Sequence, residues 1–339
     1  CTMSERSIQI VEVGPRDGLQ SEPEILSTAA KKTFLDLAID AGSRRLEVAS
    51  FVHPKRVPQM ADAEALIEAL PDRDGVSYIG LIMNERGLDR ALTTKIQEIG
   101  MVVVSTDTYN RKNQGVSSQE SVAAWRAISK RARDAGRKAN VMISAAFGCP
   151  YEGEVSMQRI LELAEQVLEA DPAELGIADS IGVAVPGQVT ELLGRVRELT
   201  GDLPLRCHFH NTRNTGLANA QAAVDAGVTY LDASIGGIGG CPFAPAATGN
   251  IPTDDLLYML DRSGIDTGVD LAKVIDTSRW LEAELGRGIP ALLPKAGMFP
   301  TAAGAWQQPA CRTCVSSAAG WTRRVGGGGA GGGAGRGWG

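Results

Sequence analysis

Ile8-Gln9-Ile10-Val11-Glu12-Val13-Gly14-Pro15-Arg16-Asp17-Gly18 is the first β-type run of the chain together with the turn that leaves it. A doubly wound sheet that binds a dinucleotide places a Gly-x-Gly-x-x-Gly phosphate loop at this point. The turn here reads Gly-Pro-Arg-Asp-Gly, which is a different fingerprint. Working outward, seven more short β-type runs follow: Arg45–Ala49, Val76–Ile82, Met101–Ser105, Asn140–Ala145, Glu174–Ala178, Leu205–His210 and Thr229–Ser234. Between them lie stretches with apolar residues at helical spacing, such as Ser27–Ala41, Asp62–Ala69 and Ser121–Ala135. Gly or Pro marks the junctions, among them Gly14-Pro15, Gly42, Pro71, Gly75, Gly100, Gly136, Gly148 and Gly227. Eight strand–helix units in roughly 250 residues predict an α/β protein of the (β/α)8 TIM-barrel type. The open doubly wound sheet is the runner-up, although it more often has about five to seven strands.

The barrel is expected to occupy residues 1–300, with an irregular tail over 301–339. From 326 the tail is almost entirely Gly and Ala, a composition with too little apolar surface to offset its ordering entropy, so disorder is expected there. A net charge of -6 argues against a general nucleic-acid or membrane-surface binder. No run of about 18 apolar residues suggests a membrane span. The short polar N-terminus is unlike a secretory signal, and the six scattered cysteines are unlike a disulfide framework, so a reducing cytoplasm is expected. Cys311 and Cys314 form one C-x-x-C pair, a weak metal or redox signal.

In such a barrel the active site lies at the C-terminal ends of the strands. Polar residues collect there on several runs: Arg16 and Asp17 after the first, Glu47 near the end of the second, Asp179 after the sixth, and His208 and His210 in the seventh. On a strand, residues i and i+2 share a face, so His208 and His210 face one side and share one metal in the functional reading. The bland reading is two hydrogen-bonded polar residues. The chain has only three histidines, which favours the first. Two histidines, a carboxylate, the neutral oxygen of Asn250 and open water positions suit mixed nitrogen and oxygen coordination of Mg2+ or Mn2+. Zinc fits chemically, but no cysteine set accompanies the histidines for a structural site. Arg16 is either a local partner of Asp17 or a clamp for a developing enolate oxygen. Cys241 lies in the run Gly236-Gly237-Ile238-Gly239-Gly240-Cys241, read either as a small buried residue or as an acid or base on a mobile lid. Lys55 and Arg56 are read either as phosphate contacts or, more ordinarily, as solvated charges, and His53 reads as a loop residue rather than a ligand.

Val13-Gly14-Pro15-Arg16-Asp17-Gly18-Leu19-Gln20 resembles the first-strand motif of the 3-hydroxy-3-methylglutaryl-CoA lyases. Ser50-Phe51-Val52, Val57-Pro58-Gln59-Met60, Gly148-Cys149-Pro150-Tyr151-Glu152-Gly153, Gly239-Gly240-Cys241-Pro242-Phe243-Ala244 and Thr248-Gly249-Asn250 resemble further motifs of that family, over a span from about Ile8 to Pro294. The resemblance implies that Asp17, His208, His210 and Asn250 hold a divalent cation, Mg2+ or Mn2+. It implies that Arg16 stabilises the enolate of the departing acetyl-CoA, that Cys241 transfers a proton, and that Glu47 and Asp179 complete the site as support or base. The implied reaction is a retro-Claisen cleavage of an acyl-CoA to acetyl-CoA and a keto acid, as in leucine degradation and ketone-body metabolism. The Arg-Asp-Gly and His-x-His elements are also shared with isopropylmalate and homocitrate synthases, so a condensing enzyme is the alternative, and a catalytically silent binding barrel is a third. The chain departs from the family at Asn211, Asn214, Gly176-Ile177-Ala178 and Pro245-Ala246. These departures bear on the acyl group more than on the reaction. An acyl-CoA is the expected partner, with no nucleic acid and no membrane; a homodimer is the base-rate expectation.

Overall fold

The computed structural model describes residues 6–240 and 248–300. Eight parallel strands close into a barrel in strict chain order. They are β1 (Gln9–Glu12), β2 (Arg45–Ser50), β3 (Ser77–Ile82), β4 (Glu98–Val104), β5 (Lys138–Ser144), β6 (Glu174–Asp179), β7 (Leu205–Phe209) and β8 (Tyr230–Ala233). All eight expected runs are strands, and the (β/α)8 expectation holds. The expected tail at 301–339, with Cys311 and Cys314, lies outside the described residues, as does Cys241 with Pro245-Ala246. No described helix is long and apolar enough to cross a membrane.

Alternation sorts the side chains into an outer and an inner set. Outward residues such as Leu46, Val48, Ile99, Val103, Ile143 and Ile177 join the main apolar core with helix residues such as Phe34, Leu66, Trp125, Ile160 and Leu193. The inner set holds a small apolar group, Val11, Val13 and Ile79, against Tyr230. A set of charged residues also faces the barrel axis. Arg45 on β2 pairs with Glu98 on β4 and with Glu174 on β6, each at 2.5 Å, and Asn140 on β5 donates to Glu98 at 2.7 Å. The two Arg45 pairs join strands that are not neighbours, so they pass through the barrel interior. They explain one shifted boundary: β4 starts at Glu98 rather than Met101, because an inward charge and a glycine hide the strand pattern.

The helices start where the sequence supplies caps. Thr28–Asp40 follows Ser27, whose side chain accepts from the amide of Ala30. Ser118–Asp134 begins three residues before the expected Ser121, because Ser117 and Glu120 form a reciprocal capping box.

Candidate active site

The first strand leads into a wide turn in which the amides of Arg16, Asp17 and Gly18 all reach the carbonyl of Val13, at 3.1, 2.8 and 3.2 Å. Gly18 is required for this packing, since a Cβ there would sit 2.7 Å from Ile238. The turn sets Arg16 and Asp17 over the C-terminal mouth of the barrel. On β7, Arg206 and His208 alternate with outward-facing Cys207 and Phe209, and His210 continues the inward row. An isolated backbone bridge ties His210 to Asn250. The imidazoles of His208 and His210 stand 5.1 Å apart. Asp17, His208 and His210 each present a ligand atom within 4.8 Å of the other two. The sequence-predicted metal residues are therefore brought together, with Asn250 donating its amide to Asp17 at 2.9 Å.

The electrostatics suit a dication. Burial alone would raise the Asp17 carboxyl, but Arg16, His208 and His210 outweigh it and hold it well below the usual carboxylate range. Burial and the neighbouring His208 bring His210 down to about 3, so it is a neutral imidazole. The buried Nδ1 of His210 and Oδ1 of Asn250 have no hydrogen-bond partner. Along the barrel interior, the guanidiniums of Arg16, Arg45 and Arg206 meet the carboxylates of Asp17, Glu47, Glu98, Glu174 and Asp232 in one connected network. With all eight groups ionised, three guanidiniums against five carboxylates leave an excess of two negative charges. Orphaned donor atoms beside that excess fit a divalent cation held by two imidazoles and oxygen ligands.

The other predicted residues fall as follows. Arg16 donates to Asp17 at 2.6 Å and pairs with Glu47 at 3.0 Å, so it is an ion-pair partner, and it also lines the cleft. Glu47 is buried between Arg16 and Arg206. Asp179 turns its two oxygens back to the amides of Val183 and Ala184, at 3.0 and 2.9 Å, and so holds its own loop. Burial raises its carboxyl despite those bonds. His53, Lys55 and Arg56 are exposed loop residues. Asn214 takes the left-handed conformation, with φ 58°, which Asn tolerates better than other residues with a Cβ. Gly176 leaves room for Met142, whose Cε would lie 2.8 Å from a Cβ there.

Sequence reasoning missed Arg206, Asp232 and Glu22. The first two stand in the inner row below His208 and His210, and the Asp232 carboxylate accepts from Nδ1 of His208 at 3.0 Å. The signal was the alternation Arg206-x-His208-x-His210, in which all three residues face the axis. Glu22 takes the amide of Gly239 at 3.0 Å and pairs with Arg287, which fixes the start of the glycine-rich loop. No local pattern marks that contact.

The cleft at the barrel mouth has a volume of about 230 Å3. Its walls mix Leu81, Met83 and Met142 with Asn113, Ser144 and Ser180, so it offers both apolar and hydrogen-bonding surface.

Comparison with known proteins agrees with this geometry. The HMGL-like family model matches residues 7–281. The chain is 40% identical over 301 residues to (R)-citramalyl-CoA lyase of Chloroflexus aurantiacus, covering 86% of this chain and 95% of that one. It is 37% identical to a hydroxymethylglutaryl-CoA lyase of Bacillus subtilis, covering 84% and 96%. The structure of an HMG-CoA lyase from Acinetobacter baumannii in complex with coenzyme A and 3-methylmalate superposes with a TM-score of 0.84 at 36% identity, over 88% of this chain and 97% of that one. With its closed barrel and its Asp-His-His cluster, the chain belongs to the HMGL-like family and is a C–C lyase of the hydroxymethylglutaryl-CoA and citramalyl-CoA lyase type.

Proposed function

We propose that the chain cleaves a 3-hydroxy-3-methyl acyl-CoA, with 3-hydroxy-3-methylglutaryl-CoA as the first candidate, to acetyl-CoA and a keto acid such as acetoacetate. The observation that carries this reading is the meeting of Asp17, His208 and His210 beside Arg16 at the mouth of the barrel. Asp17, His208, His210 and Asn250 would hold Mg2+ or Mn2+. When bound, the cation supplies a Lewis acid that polarises the substrate hydroxyl. Arg16 lines the cleft with a guanidinium already oriented by Glu47, a fixed positive group for an enolate oxygen. Glu47 and Asp179 support the site rather than act as its base, because Oε2 of Glu47 is shared by two guanidiniums and both oxygens of Asp179 accept from backbone amides. Proton transfer then falls to Cys241 in the glycine-rich loop. The coenzyme A in the A. baumannii relative supports an acyl-CoA partner.

A second substrate has its own support: the relative at 40% identity is a citramalyl-CoA lyase. The two esters differ by one methylene in the acyl group, and a pocket distinguishes such a difference by about 10- to 200-fold. The test is to supply each ester with Mn2+ and identify the keto acid. Acetoacetate from the first at the higher kcat/KM supports the proposal. Preferential release of pyruvate from citramalyl-CoA assigns the second substrate. Cleavage of neither ester by metal-loaded protein contradicts both.

A further inference from the structure

Arg206 is an unusual residue for the inside of a barrel. It is 5% exposed and sits two positions before His208 on β7, facing the same way. Its Nε and Nη2 grip the two oxygens of Asp232 at 2.5 and 2.9 Å. Nη2 also reaches Glu47 at 3.3 Å, and Nη1 lies 3.7 Å from Glu174. Asp232 Oδ2 in turn lies 3.0 Å from Nδ1 of His208. Glu47 is the same carboxylate that orients Arg16.

A guanidinium forks onto a carboxylate in one plane, which fixes both the position and the rotation of the acid. A carboxylate fixed in this way accepts one particular imidazole N–H and leaves the other ring nitrogen bare for a metal. Without the fork, Asp232 is a buried anion with His208 as its remaining close partner, and the imidazole loses its fixed tautomer and orientation. We propose that Arg206 is a positioning residue of the metal site: it acts through Asp232 to hold the ring of His208 in its ligating tautomer. Through Glu47 the same guanidinium links that half of the site to Arg16. The inference rests on the reading of Asp17, His208 and His210 as a metal site.

The test uses the full chain, Mn2+ titrated against it with the free ion read by electron paramagnetic resonance, and 15N-histidine spectra without metal. Arg206→Lys keeps the charge and loses the fork. It should weaken Mn2+ binding by about 10-fold or more, toward the 10- to 100-fold range of such supporting residues. The His208 nitrogen shifts should move from a single tautomer to a mixture. A merely structural role predicts a lower Tm with unchanged Mn2+ affinity. Asp232→Asn provides a second arm should the lysine variant fail to fold, with a loss of the same order. The double variant should match the worse single variant within about twofold, because both break one chain of contacts. Wild-type affinity and an unchanged His208 spectrum in a folded Arg206→Lys protein, or additive losses in the double variant, overturn the inference. A wild-type chain that binds no Mn2+ overturns the metal-site reading itself and this inference with it.

Discussion

Asn250 donates its side-chain amide to Oδ2 of Asp17 at 2.9 Å, although 233 residues separate the two in the chain. The contact joins the first strand-to-helix turn to the segment after the glycine-rich loop. It also leaves Oδ1 of Asn250 buried without a hydrogen-bond partner.

Asn250→Ala removes both the amide that steadies Asp17 and the orphaned oxygen. Mn2+ affinity should fall by about 10- to 100-fold. His208→Ala, which removes a ligand outright, should reduce metal occupancy further. Metal content after gel filtration reads both, and full occupancy in His208→Ala would remove that residue from the ligand set.

Gly239 has φ +97°, and a Cβ there would meet Asn250 Nδ2 at 2.6 Å and Gly18 Cα at 3.0 Å. Gly239→Ala should therefore cost about 1–3 kcal/mol in backbone strain. It should also weaken Mn2+ binding, because the Cβ displaces Asn250. A variant with wild-type Tm and wild-type affinity contradicts the packing described.

Cys241 lies outside the described residues, so its role is tested by chemistry. Cys241→Ser should lower kcat by about 100-fold or more, the scale of a lost acid–base group. Mn2+ binding should persist, because no proposed ligand is touched. Full turnover in this variant assigns the proton transfer elsewhere.

Glu12 is buried below the turn Ile235–Gly237, accepting from the amides of Gly14 and Ile235 at 2.9 Å each and from the Thr253 hydroxyl at 2.8 Å. Burial pushes its carboxyl from 4.5 up to about 8. Between those values the folded chain holds a proton that the unfolded chain has released. This contribution to stability is complete below about pH 4.5 and is lost as pH rises toward about 8. Glu12→Gln should flatten that part of the profile, as read by urea unfolding at several pH values. A variant as pH-sensitive as the wild type would contradict the assignment.

The barrel was legible because each strand keeps a run of aliphatic residues on its outer face, and Gly or Pro closes most runs. The Asp17, His208 and His210 cluster was legible because the two histidines share a strand face and Asp17 stands in a recognisable turn, as does Asn250. The charged axis was not. Arg45, Glu98, Glu174, Arg206 and Asp232 lie on five different strands, and strand pairing and barrel closure make them neighbours. Read one at a time, they look like surface charges at strand starts. Glu47 and Asp179 were found as polar strand-end residues, but their partners decide their part in the site, and those partners are distant in sequence or lie in the backbone. The cap of Ser118–Asp134 was a local signal overlooked: Ser117 and Glu120 have the spacing of a capping box.

The most direct measurement is acetyl-CoA release from 3-hydroxy-3-methylglutaryl-CoA and from citramalyl-CoA by purified chain, before chelation, after chelation, and after Mn2+ or Mg2+ is restored. The account predicts release that chelator abolishes and added cation restores, with His208→Ala inactive in all three conditions. Release that is indifferent to chelator, or a fully active His208→Ala chain, would contradict it.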